Sequence, residues 1–266
     1  MTAQQQGAPR RPWLIVGAQE VRDLWLGGRG LVLSLAFSVL LSVLAYLVAT
    51  NKALNFLEQR ESVNLTLQVA IAVGALLALL AAADTVSGER ERGTLEALLL
   101  TPVSRLQLAG GKLGAALTLW LAAFAITIPY IWFLGRGVGI VGDALATGAL
   151  VGTLLAVFLT SLGVVISVFA RSNRVSLSLS LFALLALFAP TQFPTGAQQG
   201  WAGDFLLRAN PLTAGEHYVG KIVVDGHPWS QDAAWLTSPL VAAGVFLVAA
   251  AVVSARFLRL SGGAGR

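Results

Sequence analysis

Six stretches of this chain contain no Lys, Arg, Asp, Glu or His: residues 30–51, 62–83, 113–135, 144–170, 175–203 and 233–255. They run 22, 22, 23, 27, 29 and 23 residues. Each exceeds the roughly 20 apolar residues with which a helix crosses a hydrocarbon core about 30 Å thick. Backbone N–H and C=O groups find no water inside a bilayer, so only helices and closed barrels span it. Apolar runs this long and continuous are helical. The sequence therefore predicts an all-α polytopic membrane protein with six transmembrane helices.

Composition supports the same class. Charged residues make up 12% of the 266 positions, against about 25% in ordinary soluble domains. That excludes a water-soluble single domain, and the high apolar content excludes a disordered chain. No connection is longer than the 29 residues of 204–232, too short for a separate soluble domain. With no cysteine, disulfides, thiolate zinc sites, iron–sulfur clusters and covalent haem attachment are excluded. A net charge of +5 is better read as a topology signal than as a nucleic-acid footprint.

The charges that flank the spans give an orientation. With six spans both termini share one side, and that side carries 13 basic residues against 5 on the other. The positive-inside rule places the 13 in the cytoplasm, so both termini are expected there, in an inner (cytoplasmic) membrane. Arg10 and Arg11 precede only a short apolar run, soon interrupted by Glu20, Arg22 and Asp23. That pattern does not fit a cleavable signal.

Residues 1–12 read as a disordered tail, 13–28 as an interfacial elbow helix, 31–257 as the six-span domain and 258–266 as a second tail. In the elbow, Leu14, Ala18, Val21 and Trp25 recur at helical spacing and form an apolar face suited to the membrane surface. Pro129 is placed near the end of span three as a kink. Only Arg171 to Arg174 joins spans four and five, which makes them antiparallel neighbours. Span five begins near Val175 and fades towards Pro190 and Pro194. The segment 195–232, with both histidines and Asn210-Pro211, reads as one or two short helices at the opposite interface. Small-residue pairs Ala78/Ala82, Gly110/Gly114 and Gly148/Gly152 offer sites of close helix approach.

Several chemistries find no support. The spans contain no ionisable side chain, which argues against a proton- or ion-coupled carrier. Gly110-Gly111-Lys112-Leu113 lacks the spacing and the hydroxyl of a phosphate-binding loop. His217 and His227 lie ten apart beside Glu216 and Asp225 and read as solvated loop residues rather than metal ligands. If the chain moves something uphill, the energy comes from another polypeptide.

The densest charge lies between spans two and three. Ser87 reads as an N-cap, Glu89 and Glu91 as first-turn acids, and Thr101-Pro102 as a stop. Residues 88–100 are thus expected as a short amphipathic helix. Leu95, Leu98 and Leu99 would face lipid or bundle, and Glu89, Arg90, Glu91 and Arg92 would project into the cytoplasm.

The run from Ser87 to Arg105, with Gly93, Thr94 and Glu96 at its centre and Lys112 beyond, resembles the permeases of type 2 ABC exporters, a group that includes multidrug, sodium and nitrous-oxide-reductase-maturation permeases. Asn210-Pro211-Leu212-Thr213 resembles the family's outer-loop pattern. The resemblance implies a membrane subunit that is not itself an enzyme and binds no cofactor. ATP and Mg would sit on a separate ABC ATPase subunit. It also implies a coupling helix built from Glu89, Arg90, Glu91, Arg92, Gly93, Thr94 and Glu96, and a second permease copy, identical or paralogous. The alternative is a membrane scaffold or mechanotransmission subunit acting on a periplasmic partner.

Overall fold

A computed structural model of the chain describes residues 12–50, 56–95, 100, 103–189 and 201–257. The described residues form nine α-helices and one 3-10 turn: α1 Pro12–Leu26, α2 Arg29–Ala49, α3 Phe56–Arg92, α4 Arg105–Gly135, α5 Val141–Phe169, α6 Asn173–Phe188, α7 Trp201–Ala209, α8 Pro211–Val223, the turn Ala233–Leu236, and α9 Thr237–Phe257. Five of the helices are long and apolar enough to cross a membrane. The sixth apolar helix, α6, has 16 residues and a rise of about 24 Å, shorter than the hydrocarbon core. Its charge-free stretch continues through 190–200, outside the described residues.

α3 is the axis of the bundle, flanked by α4, α5 and α6. At 37 residues it is about 55 Å long, well beyond the span of its charge-free stretch. Its core face, Val63, Leu67, Ile71, Ala75, Ala78 and Leu79, joins Trp120, Val151, Leu155 and Leu159 in one apolar cluster. Close approach depends on missing side chains. A Cβ on Gly163 would lie 2.8 Å from the Leu79 carbonyl oxygen and 3.2 Å from the Ala83 amide nitrogen, so α3 and α5 meet backbone to backbone. Gly148 and Gly152 give room to Leu67 and to the Trp120 ring. The pairs Ala78/Ala82 and Gly148/Gly152 therefore mark tight contacts, whereas Gly110 and Gly114 face open space. Gly163→Ala is expected to cost about 1–3 kcal/mol, because backbone cannot move aside as a side-chain tip can. Thermal unfolding of the purified chain measures it.

The region after span two differs from the sequence expectation. No new helix starts at Ser87: α3 runs through it to Arg92. Ser87 is fully buried, and its hydroxyl donates to the Ala83 carbonyl one turn back at 2.7 Å. A serine that bonds the i−4 carbonyl continues a helix instead of capping one. Neighbouring hydroxyls converge on the same carbonyl: Ser167 and Ser176 each donate to it at 2.7 Å. α3 ends at Gly93, whose φ of +72° lies in the left-handed region that glycine tolerates. The Gly93 N–H reaches the Arg90 carbonyl at 3.2 Å and the Thr94 N–H the Glu89 carbonyl at 3.0 Å. That is a Schellman C-cap, with Arg90 and Arg92 in the last turn. Leu95 then packs against Val86 and Val168, while Leu98 and Leu99 lie outside the described residues.

Two further expectations are refined. α4 continues through Pro129 to Gly135. The segment after span five supplies two short helices, and α8 is packed into the bundle, burying Leu212, Ala214, Tyr218, Val219, Ile222 and Val223.

Candidate functional site

Where α3 outruns its apolar stretch it carries Asp84, Glu89, Arg90, Glu91 and Arg92. α1, the start of α2 and the start of α4 surround it; this is termed the elbow end. Asp84, Gly88 and Arg92 succeed one another on one helical face. A Cβ at Gly88 would collide with the Asp84 carboxylate. The bare glycine lets Arg92 fold back over it to Asp84 at 2.9 Å. Asp84 also holds Arg29 of α2 at 2.7 Å. One turn on, Glu89 stands 3.9 Å from Arg92 and 3.6 Å from Lys112 of α4, and accepts a bond from the Thr94 hydroxyl. Lys112 completes the chain with Glu20 of α1 at 2.8 Å.

Lys112 is the hub. Its side chain is 3% exposed and carries a charge shared between two carboxylates. The outlying Arg29–Asp84 pair is well exposed on the arginine side and contributes little to stability on its own, about 0–1 kcal/mol. A buried, doubly paired lysine is different: the pair offsets a large desolvation cost and cannot lose one member cheaply. Beside the network a cleft of about 850 Å³ opens, lined by Glu20, Asp23, Asp84, Glu89, Arg92 and Lys112 among others.

Arg90 and Glu91 also turn inward. Helix ends leave unsatisfied carbonyls and amides, and these two side chains fill such positions on their neighbours. Arg90 donates to the Val168 carbonyl at 3.1 Å and to that of Ala170, at the end of α5. The Glu91 carboxylate accepts from the Asn173 N–H at 3.0 Å, at the start of α6. The expectation that residues 89–92 project freely is thereby corrected: each has a partner within the chain. Glu96 lies outside the described residues. In the elbow helix, Val21 and Trp25 are half-buried, Ala18 is exposed, and the Leu14 side chain is outside the described set. Trp25 donates to the Thr118 hydroxyl at 3.0 Å. The contact face also includes Gly17, set against Gly111, and Glu20. The apolar spacing of Leu14, Ala18, Val21 and Trp25 does not by itself mark Glu20 as part of that face.

α3 is tied at its other end as well. Gln59 donates to the Leu134 carbonyl at 2.8 Å and Arg60 to the Val224 carbonyl at 3.2 Å, at the ends of α4 and α8. Asn210 and Pro211 start α8. The Asn210 side chain caps it by accepting from the Leu212 N–H at 2.9 Å and donates to the Leu187 carbonyl of α6 at 2.6 Å, with Pro211 in the first helical turn. His217 stacks on Trp235, ring centroids 3.9 Å apart, and burial draws its pKa down. His227 pairs with Asp232 at 2.7 Å. Glu216 is half-buried, and burial raises its carboxyl pKa to about 7.

Long apolar helices and a helix end loaded with charge define a multi-pass membrane protein. The chain belongs to the ABC-2 family of transporter proteins, whose family model matches residues 14–260. It is thus a permease subunit of an ABC transporter. No curated protein matches the chain in a search of their sequences.

Proposed function

We propose that the chain is the membrane subunit of an ATP-driven exporter, with a separate ABC ATPase docking at the elbow end on residues 94–105. The observation that carries this reading is the reach of α3. It runs without a break from Gln59 and Arg60 to the Glu89–Lys112–Glu20 network, so a push on its charged end displaces α1, α4, α5 and α6 together. ATP and Mg bind the partner. A second permease copy completes the path, and both termini face the cytoplasm, as the 13-to-5 division of basic residues supports. Glu89 and Glu91 have internal partners, so reversing them would disturb the bundle. Glu96, in the run that carries the family resemblance, is the probe of docking, with the unfolding temperature read alongside to separate lost docking from lost folding. Glu96→Lys is expected to abolish co-purification of the ATPase with the tagged chain and leave the chain's own unfolding temperature unchanged. Undiminished co-purification would count against docking there.

A second reading has its own support. The far end of α3 grips α4 and α8 through Gln59 and Arg60, so motion at the elbow end also reaches the helices of the opposite face. A mechanotransmission subunit acting on a periplasmic partner would use that route. ATP hydrolysis stimulated by a periplasmic protein, with no transported solute, favours this reading over export.

A further inference from the structure

At the far end a pocket of about 400 Å³ opens between α3, α8 and the 3-10 turn, walled by Gln68, Leu207, Thr213, Glu216, Lys221 and Trp235 among others. Most charged groups around it are engaged. Lys221 pairs with Asp225 at 2.8 Å and His227 with Asp232 at 2.7 Å. Arg208 of α7 lies over the Trp235 ring, 4.7 Å from its centroid. Arg60 of α3 bonds the Val224 carbonyl, and Asp143 of α5 accepts from Trp229 at 3.2 Å. His217 stacks on Trp235. Glu216 is the exception: among the described residues no hydrogen bond or ion pair reaches its carboxylate. The Gln68 amide points instead at the Glu216 backbone carbonyl, 3.5 Å away.

A half-buried carboxylate without a partner carries a desolvation cost that a bound cation offsets. The remaining wall says which kind of cation. Gln68 and Thr213 supply neutral polar atoms, and Leu207 and Trp235 an apolar side. The volume falls in the range of small-molecule sites, about 300–1,000 Å³, far more than one bare ion fills. A single unpaired carboxylate balances one positive charge. We propose that this pocket binds a small organic monocation, a primary ammonium carrying a short alkyl or aryl group, with its nitrogen on the Glu216 carboxylate and its carbon skeleton against Leu207 and Trp235. The site does not depend on the direction of transport or on the identity of the ATPase.

The test is calorimetric titration of the full-length chain in lipid nanodiscs with phenethylammonium, which stays protonated throughout. Binding is expected at about pH 8, with affinity falling at least about tenfold towards pH 5.5 as Glu216 takes up a proton. Glu216→Gln is expected to bind at least about tenfold more weakly at pH 8 and to lose that pH dependence, while Glu216→Asp keeps part of both. The neutral isostere phenylethanol should not bind. Three results would overturn the proposal: equal affinity in Glu216→Gln, equal binding of phenylethanol (an apolar pocket only), or displacement by potassium chloride at matched concentration (an inorganic-cation site).

Discussion

Lys112→Met is expected to destabilise the chain by about 3 kcal/mol, the lower end of the cost of breaking a buried ion pair, because it leaves the part-buried Glu20 without a counter-charge and Glu89 with Arg92 alone. Lys112 is 3% exposed, and its ammonium lies 2.8 Å from Glu20 and 3.6 Å from Glu89. Methionine fills the space but leaves two carboxylates facing each other across it. Thermal unfolding in one detergent, wild type against variant, measures the loss. The triple variant Lys112→Met, Glu20→Gln, Glu89→Gln is expected to recover most of it, since a buried ion network replaced by neutral groups of similar size is often no less stable. If the network also transmits force between α1, α3 and α4, the triple variant will fold and still fail to couple ATP hydrolysis to transport. An unfolding temperature for Lys112→Met equal to that of wild type would mean that the lysine is not the hub described.

The second large effect is the pH dependence that Glu216 imposes. Its pKa is raised from 4.5 to about 7, so folding favours the protonated form. The corresponding stability is fully present below about pH 4.5 and is lost as pH rises through about 7. A shift of this size is worth about 3 kcal/mol at most. Glu216→Gln stays neutral at every pH. It is expected to match wild type near pH 4.5 and to exceed it in unfolding temperature at pH 8. Parallel pH curves for the two proteins would show that Glu216 ionises freely in the folded chain. Addition of phenethylammonium at pH 8 should narrow the gap, because the ligand stabilises the ionised form.

Much of the architecture is legible from local sequence, because charge cannot lie along a span. Five charge-free stretches became the five long helices, and the Asn210-Pro211 pair became an N-cap and first helical residue. The region after span two departs from its local sequence signal for a specific reason. A serine followed by acids is a good start for a helix in isolation, but Ser87 lies on a helix already formed, and the Ala83 carbonyl receives its hydroxyl. The stronger local signal was Gly93 behind Arg90 and Arg92, a glycine after a basic last turn. The family resemblance runs through that glycine without marking it as a helix end. Pairings such as Glu20 with Lys112, or Glu91 with the Asn173 amide, join residues more than 80 positions apart. No periodicity within one helix reports them. The resemblance located the charged run; the structure showed that its charges bind the bundle's own helices first.

The proposed ATPase contact falls in the run 94–105, of whose described residues Thr94, Leu100, Ser104 and Arg105 are exposed. The most direct test is vanadate-sensitive ATP hydrolysis in material purified from native membranes through a tag on this chain, comparing wild type with Glu96→Lys. The account predicts that such hydrolysis co-purifies with wild type and is lost with Glu96→Lys, at an unchanged unfolding temperature. Solute transport by the purified chain without ATP, or wild-type hydrolysis in Glu96→Lys, would contradict it.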